Sequence, residues 1–142
     1  MKIVIGADHG GFDVKEHLLE MLKKGGHEVT DVGCFSTDSV DYPDIAAEVE
    51  KKIVNGGCER GILICGTGIG VSIAINRNRS IRAALCHDEY TAVMSREHND
   101  ANVLCFGARV IGAGVAESMV NRWLATEFAG GRHQRRIDKF SD

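Results

Sequence analysis

The sequence has a single proline among 142 residues, where average usage would give about seven. Nearly every backbone position can therefore donate an N–H. Aromatic residues make up only 6%, so aliphatic side chains must fill the core. No run of 18 apolar residues occurs, which argues against a membrane span. The opening Met1–Gly6 run is broken by Asp8 too soon to form a signal peptide. Basic charge is not in excess: the net charge is −3 and the pI about 6.1. That balance argues against non-specific nucleic-acid binding. The cysteines, Cys34, Cys58, Cys65, Cys86 and Cys105, are odd in number and never spaced C-x-x-C. Neither a disulfide framework nor a zinc ribbon fits them. They suit reduced core thiols in a cytoplasmic protein. No histidines are spaced H-x-x-x-H and no acidic cluster accompanies them, so no metal site is expected.

What the chain has in excess is glycine, at 17 residues against about ten expected. The glycines lie singly or in pairs among apolar runs, so they do not form a linker. Short β-type runs alternate with segments of helical period. Lys2–Gly6 is a predicted strand, followed by a helix whose face carries Val14, Leu18, Met21 and Leu22. Gly25 and Gly26 supply its exit. A second strand is expected at His27–Val32. A second helix begins at Asp41-Tyr42-Pro43-Asp44, with proline in its first turn, and buries Ile45, Val49 and Ile53. Gly61–Cys65 is unbroken apolar and suggests a strand covered on both faces.

Further along, Val71–Asn78 is expected to be helical, Ile81–Cys86 a strand, Asp88–His98 a helix and Asn102–Phe106 a strand. Val115, Met119, Val120, Trp123 and Leu124 mark the inner face of the last long helix. This alternation predicts an α/β fold. The expectation is one domain over residues 1–142, a doubly wound three-layer αβα arrangement on a five-stranded parallel sheet, Rossmann-like, ending in a basic helical tail at 131–142.

In such folds ligands bind beyond the carboxyl ends of the strands. The segments there are Gly6–Gly11, Cys65–Gly70, His87-Asp88 and Gly107–Arg109. Gly66, Gly68 and Gly70 alternate with Thr67 and Ile69 and open a helix. Bare N–H groups there suit a negative oxygen; a tight turn with glycines needed for sterics alone is the other reading. The loop is not a Walker A motif and is a poor dinucleotide fingerprint. Cys65, just before it, is either a buried core thiol or a thiol given thiolate character by the helix N-terminus. A phosphotyrosine phosphatase would need arginine where Val71 stands. His9, beside Asp8, has a carboxylate to orient it. His17 and His27 are structural or exposed, and His87 is ambiguous. His98, taken alone, suits a helix cap. Arg132 and Arg136 are spaced i, i+4 and form either a phosphate clamp or a solvated basic end.

Five segments taken together carry a resemblance. They are Asp8-His9-Gly10-Gly11-Phe12, Asp41-Tyr42-Pro43, Ile64-Cys65-Gly66-Thr67-Gly68-Ile69-Gly70, Arg96-Glu97-His98-Asn99-Asp100-Ala101-Asn102-Val103 and Gly130-Gly131-Arg132-His133-x-x-Arg136. In order and spacing the chain resembles the type B ribose-5-phosphate isomerase family. That family also holds galactose-6-phosphate and allose-6-phosphate isomerases.

The resemblance implies interconversion of ribose 5-phosphate and ribulose 5-phosphate through a cis-enediolate, with no metal or organic cofactor. A six-carbon sugar phosphate is the alternative substrate. Cys65 matches the base, and the amides of Gly66, Thr67, Gly68, Ile69 and Gly70 match the enediolate hole. Thr67 matches a hydroxyl that shuttles protons between oxygens. His98 matches the ring-opening acid/base, with Asp8 on the sugar's other side. Tyr42 and Asn99 match sugar contacts. His9, Arg132 and Arg136 match the phosphate clamp, with Arg109 added and His133 in support. The resemblance also implies a homodimer with the site lined by both chains, some members pairing into tetramers. In it His98, Asn99 and Arg109 would come from the partner of the chain supplying Cys65. One branch uses a glutamate base, but Val71–Ala74 holds no acid. A non-catalytic phosphate-binding module, resting on the glycine loop alone, leaves Cys65, His98 and the arginines unexplained.

Overall fold

The computed structural model describes residues 1–142. Five strands, β1 (Lys2–Ala7), β2 (Glu28–Asp31), β3 (Arg60–Cys65), β4 (Ala83–Leu85) and β5 (Val103–Gly107), form one sheet in the order β2-β1-β3-β5-β4. Every pairing is parallel. The helices are α1 (Phe12–Lys24), α2 (Tyr42–Val54), α3 (Ile69–Ile75), α4 (Glu89–Glu97), α5 (Ala113–Ala125) and α6 (Arg132–Ile137).

The alternation of side chains along the strands divides the core in two. Ile3, Ile5, Ile62, Ile64, Leu104 and Phe106 face one layer with Leu18 and Leu22 of α1 and Met119, Val120 and Trp123 of α5. Val4, Leu63, Cys65, Val103 and Cys105 face the other with Ala46 and Val49 of α2 and Val71 and Ile75 of α3. Ile62, Leu63 and Ile64 are fully buried, as the unbroken apolar run predicts. Each such aliphatic side chain contributes about 1.5–3 kcal/mol relative to an exposed one.

Helix ends follow local chemistry. Asp88 caps α4, its carboxylate accepting from the Thr91 N–H at 2.7 Å. That N–H and the Thr91 hydroxyl hold the Asp88 carboxyl below its ordinary value. Pro43 sits in the first turn of α2. Several boundaries differ from expectation. β4 is Ala83–Leu85, not Ile81–Cys86, because it lies on the rim and pairs only with β5. α3 starts at Ile69 and stops at Ile75, so it is shorter than Val71–Asn78 extended backwards would give. The helical tail is confined to Arg132–Ile137, anchored by the buried Ile137. Val115 lies outside the apolar face assigned to it and is 46% exposed.

Candidate active site

The sheet order changes direction at β1, which is flanked by β2 and β3. Ligands in open α/β sheets gather at such a point. The two loops leaving β1 and β3 meet there. The Asp8 N–H donates to the Ile64 carbonyl at 3.0 Å, and a Cβ on Gly10 would stand 3.4 Å from the Gly66 nitrogen. Asp8, His9, Cys65, Gly66, Thr67, Gly68, Ile69 and Gly70 are thus brought together, as expected.

Cys65 ends β3, and its side chain is buried. The Gly68 N–H donates to its sulfur at 3.1 Å. A donor aimed at sulfur stabilises negative charge on it. At Cys34 and Cys86 burial outweighs the hydrogen bonds that reach the sulfur. Burial pushes Cys34, Cys86 and Cys105 above the ordinary thiol value, so they stay protonated core groups. The N–H groups of Gly66, Thr67 and Gly70 find no acceptor within the chain, and those of Gly68 and Ile69 turn to the Cys65 sulfur and the Thr67 Oγ1. α3 spans only seven residues, so the loop's own amides, rather than a helix dipole, supply this electropositive surface.

Gly68 makes the loop possible. It adopts φ +79°, and a Cβ there would stand 2.6 Å from the Phe106 carbonyl carbon. The Tyr42 ring rests against Gly70, where a Cβ would come within 2.7 Å of it. Arg109 is also at this edge. Its N–H donates to the Gly66 carbonyl at 3.0 Å, and its guanidinium lies over Gly66. The expectation that Arg109 reaches the Cys65 site only from a partner is therefore corrected. β5 neighbours β3 in parallel register, Cys65 opposite Gly107, so the loops after them share an edge. The pairing of Asp8 with His9 is corrected too. The Asp8 carboxylate caps a short 3₁₀ turn, accepting from the Gly10 N–H at 2.9 Å, while His9 Nδ1 accepts from the Val40 N–H at 3.2 Å.

The remaining predicted residues lie elsewhere. His98 caps the C-terminus of α4, which runs back to the amino ends of the strands. The His133 ring stacks on it, with centroids 4.3 Å apart and planes inclined by 14°. Arg132 and Arg136 are on the same short helix as His133, and the Ala129 N–H donates to the Glu97 carbonyl at 3.0 Å. Burial, then the charges of His98, Arg132 and Arg136, pull His133 below the ordinary histidine value. Within one chain, His98, Asn99, Arg132 and Arg136 form a second group at the far edge of the sheet from Cys65.

The profile of the ribose/galactose isomerase family matches residues 3–140. The chain belongs to that family. It is an isomerase. The ribose-5-phosphate isomerase B of Escherichia coli is 46% identical over 137 residues, covering 96% of this chain and 92% of the relative. The ribose-5-phosphate isomerase B structure from Clostridium thermocellum superposes with a TM-score of 0.97 at 52% identity, covering 98% of this chain and 94% of that one. A Thermotoga maritima ribose 5-phosphate isomerase structure also gives 0.97, at 48% identity, covering 99% and 97%. The two solved isomerases share this fold over 94% and 97% of their length. No helix of this family member is long and apolar enough to cross a membrane.

Three features were missed by sequence reasoning. Lys15 is fully buried, its Nζ 2.6 Å from Asp31 and 2.9 Å from Glu16. It stands three residues before Leu18 and seven before Leu22, on the inner stripe of α1, so the helical period held a signal for it. Asp100 adopts φ +45° and joins Arg96 at 2.8 Å and Arg82 at 3.2 Å. It braces the turn that carries His98 and Asn99. Arg82 Nε also donates to the carbonyls of Asn99 and Asp100. The third is the Val40 N–H on His9, which no pattern in the sequence signals.

Proposed function

We propose that the chain interconverts D-ribose 5-phosphate and D-ribulose 5-phosphate through a cis-enediolate, using its own side chains and amides without metal or organic cofactor. The observation that carries this reading is the pairing of a buried thiol, Cys65, with a loop whose Gly66, Thr67 and Gly70 N–H groups lack partners. A base and an oxyanion cradle side by side suit proton abstraction next to a carbonyl.

In this reading His98 opens the furanose ring by moving a proton between the ring oxygen and O1, with Asp8 on the sugar's other side. Cys65 as thiolate takes the proton from C2 and returns it to C1. Thr67 carries the hydroxyl proton from O2 to O1, so that the aldose becomes the ketose with no net change in charge. The loop amides hold the enediolate oxygens, each donor worth about 3–4 kcal/mol in comparable oxyanion sites. Tyr42 and Asn99 contact the sugar. His9, Arg109, Arg132 and Arg136 hold the phosphate, whose binding energy orients the small substrate.

The far-edge position of His98, Asn99, Arg132 and Arg136 supports a homodimer in which these residues serve the Cys65 loop of the other copy. Isologous pairing gives two such sites per dimer.

The test is turnover of ribose 5-phosphate by the purified chain, with Cys65→Ala alongside. The variant is expected to lose about 10²–10⁴-fold in kcat while still binding the sugar phosphate. Solvent deuterium should enter the product at C1. Absence of turnover in the unaltered chain sinks the reaction, and full turnover by Cys65→Ala sinks the base.

A further inference from the structure

The segment between β2 and α2 forms no ladder, yet it is held at both ends. The Ala7 N–H donates to the Gly33 carbonyl at 2.7 Å, and the Cys34 N–H donates to the Ala7 carbonyl at 2.6 Å. The Asp31 carboxylate accepts from the Gly33 N–H at 2.9 Å and from Lys15 Nζ at 2.6 Å. At the other end the Asp44 N–H donates to the Asp41 carbonyl as α2 begins. Val40 lies just before that start, and its N–H points at His9 Nδ1, 3.2 Å away.

A backbone amide only donates. The nitrogen that receives it must offer a lone pair, and the ring proton then resides on Nε2. The adjacent carboxylate makes no bond to Nδ1; its Oδ1 accepts from the Gly10 N–H. We propose that Val40 is a positioning residue for His9: its N–H fixes the imidazole with Nδ1 as acceptor and so presents Nε2–H to the substrate phosphate as a neutral, directional donor. This rests on the phosphate role given to His9 above. The cationic charge of the clamp then comes from Arg109, Arg132 and Arg136, and His9 contributes direction.

Nitrogen-15 NMR of the full-length chain reads the bond without any activity. His9 Nδ1 should resonate as an unprotonated, hydrogen-bonded nitrogen and Nε2 as a protonated one. A through-bond coupling should link the Val40 amide nitrogen to Nδ1. A proton on Nδ1 overturns the proposal. The functional arm compares His9→Gln, whose amide nitrogen falls near the Nε2 position, with His9→Asn, whose amide nitrogen falls near Nδ1. KM for ribose 5-phosphate should rise about tenfold or more in His9→Asn, the loss expected for one hydrogen bond to a charged group. The rise should be smaller in His9→Gln, with kcat moving little in either. Equal rises, or a smaller one in His9→Asn, overturn the neutral-donor role. If the unaltered chain turns over no sugar phosphate, the functional reading fails while the NMR result still decides the tautomer.

Discussion

Cys65 and His98 stand at opposite ends of the same strand pair. Cys65 closes β3 opposite Gly107, whereas His98 lies just before the turn into β5, whose Val103 pairs with Gly61. The register from Gly61 to Cys65 separates the two edges by about 13 Å of strand. Within one chain the two residues lie at opposite edges of the sheet.

Complementation between inactive variants follows from that separation. Cys65→Ala and His98→Gln are each expected to be inactive as pure dimers. Mixed by refolding in equal amounts, half of the dimers pair one of each, and each mixed dimer holds one site with both residues intact. Activity should return to about a quarter of the unaltered level if the dimer is a two-fold isologous one. A mixture as inactive as its components would show that both residues act from one chain.

Gly68→Ala tests how the loop is built. The residue needs φ +79°, and its Cβ would press on the Phe106 backbone and on the Leu85 side chain, both at 2.6 Å. The left-handed conformation alone costs about 1–2 kcal/mol for a non-glycine residue, and backbone at that distance must shift. Denaturant unfolding should show a loss of at least about 2 kcal/mol, and turnover should fall further because the amides of Gly66–Gly70 move. Unchanged stability would mean that the loop relaxes freely.

How much of this was legible in the sequence depended on whether a feature was local. The helical stripe of Leu18 and Leu22 and the apolar run Ile62–Ile64 found their layers, and Cys65 with its glycines was found as a loop. The place of Arg109 beside Gly66 is set by the strand order β3-β5-β4, which local sequence does not carry. Adjacency in sequence does not join Asp8 to His9: successive side chains diverge, and each meets a different amide. β4 is shorter than its apolar run because Ile81 is buried while its N–H turns back to the Asn78 carbonyl, and Cys86 adds only a single bond to β5, its N–H to the Cys105 carbonyl. Such features depend on residues distant in sequence, which periodicity does not register.

Lys15 gives a pH-dependent prediction. Burial pulls its ammonium down, but the hydrogen bonds and charges of Asp31 and Glu16 outweigh this, and its pKa is raised above 10.5. The charged form is therefore favoured in the folded state. The stability this adds is complete below 10.5 and is lost as pH rises through the folded value. Lys15→Met should destabilise by about 3 kcal/mol at neutral pH, the low end for breaking a buried pair, since Asp31 keeps some access to water. The gap between variant and unaltered chain, followed by chemical denaturation into the alkaline range, should narrow. A constant gap would assign the loss to packing between Phe12 and Phe35, whose rings lie 5.5 and 5.3 Å from Nζ.

The role of His98 can be separated from that of Cys65 by the choice of substrate. Ribose 5-phosphate is chiefly a closed furanose and must open before C2 is acidic. D-Erythrose 4-phosphate carries its phosphate on O4, the oxygen a furanose ring would need, so it presents an open carbonyl. A group whose task is ring opening is needed for the first sugar and not for the second. His98→Ala should lower kcat/KM for ribose 5-phosphate by about 10²–10⁴-fold, the span for loss of an acid/base group. For the tetrose phosphate the same substitution should cost less than about tenfold, the scale of one lost neutral contact. Cys65→Ala, by contrast, should lower turnover of both by about 10²–10⁴-fold, since both sugars need the proton moved between carbons. Equal losses for the two substrates in His98→Ala would place His98 in the carbon-to-carbon step, or in holding His133 and the arginines of α6 in place. The second possibility is resolved by KM, which rises for both sugars if the phosphate clamp is disturbed and stays level if only ring opening is lost.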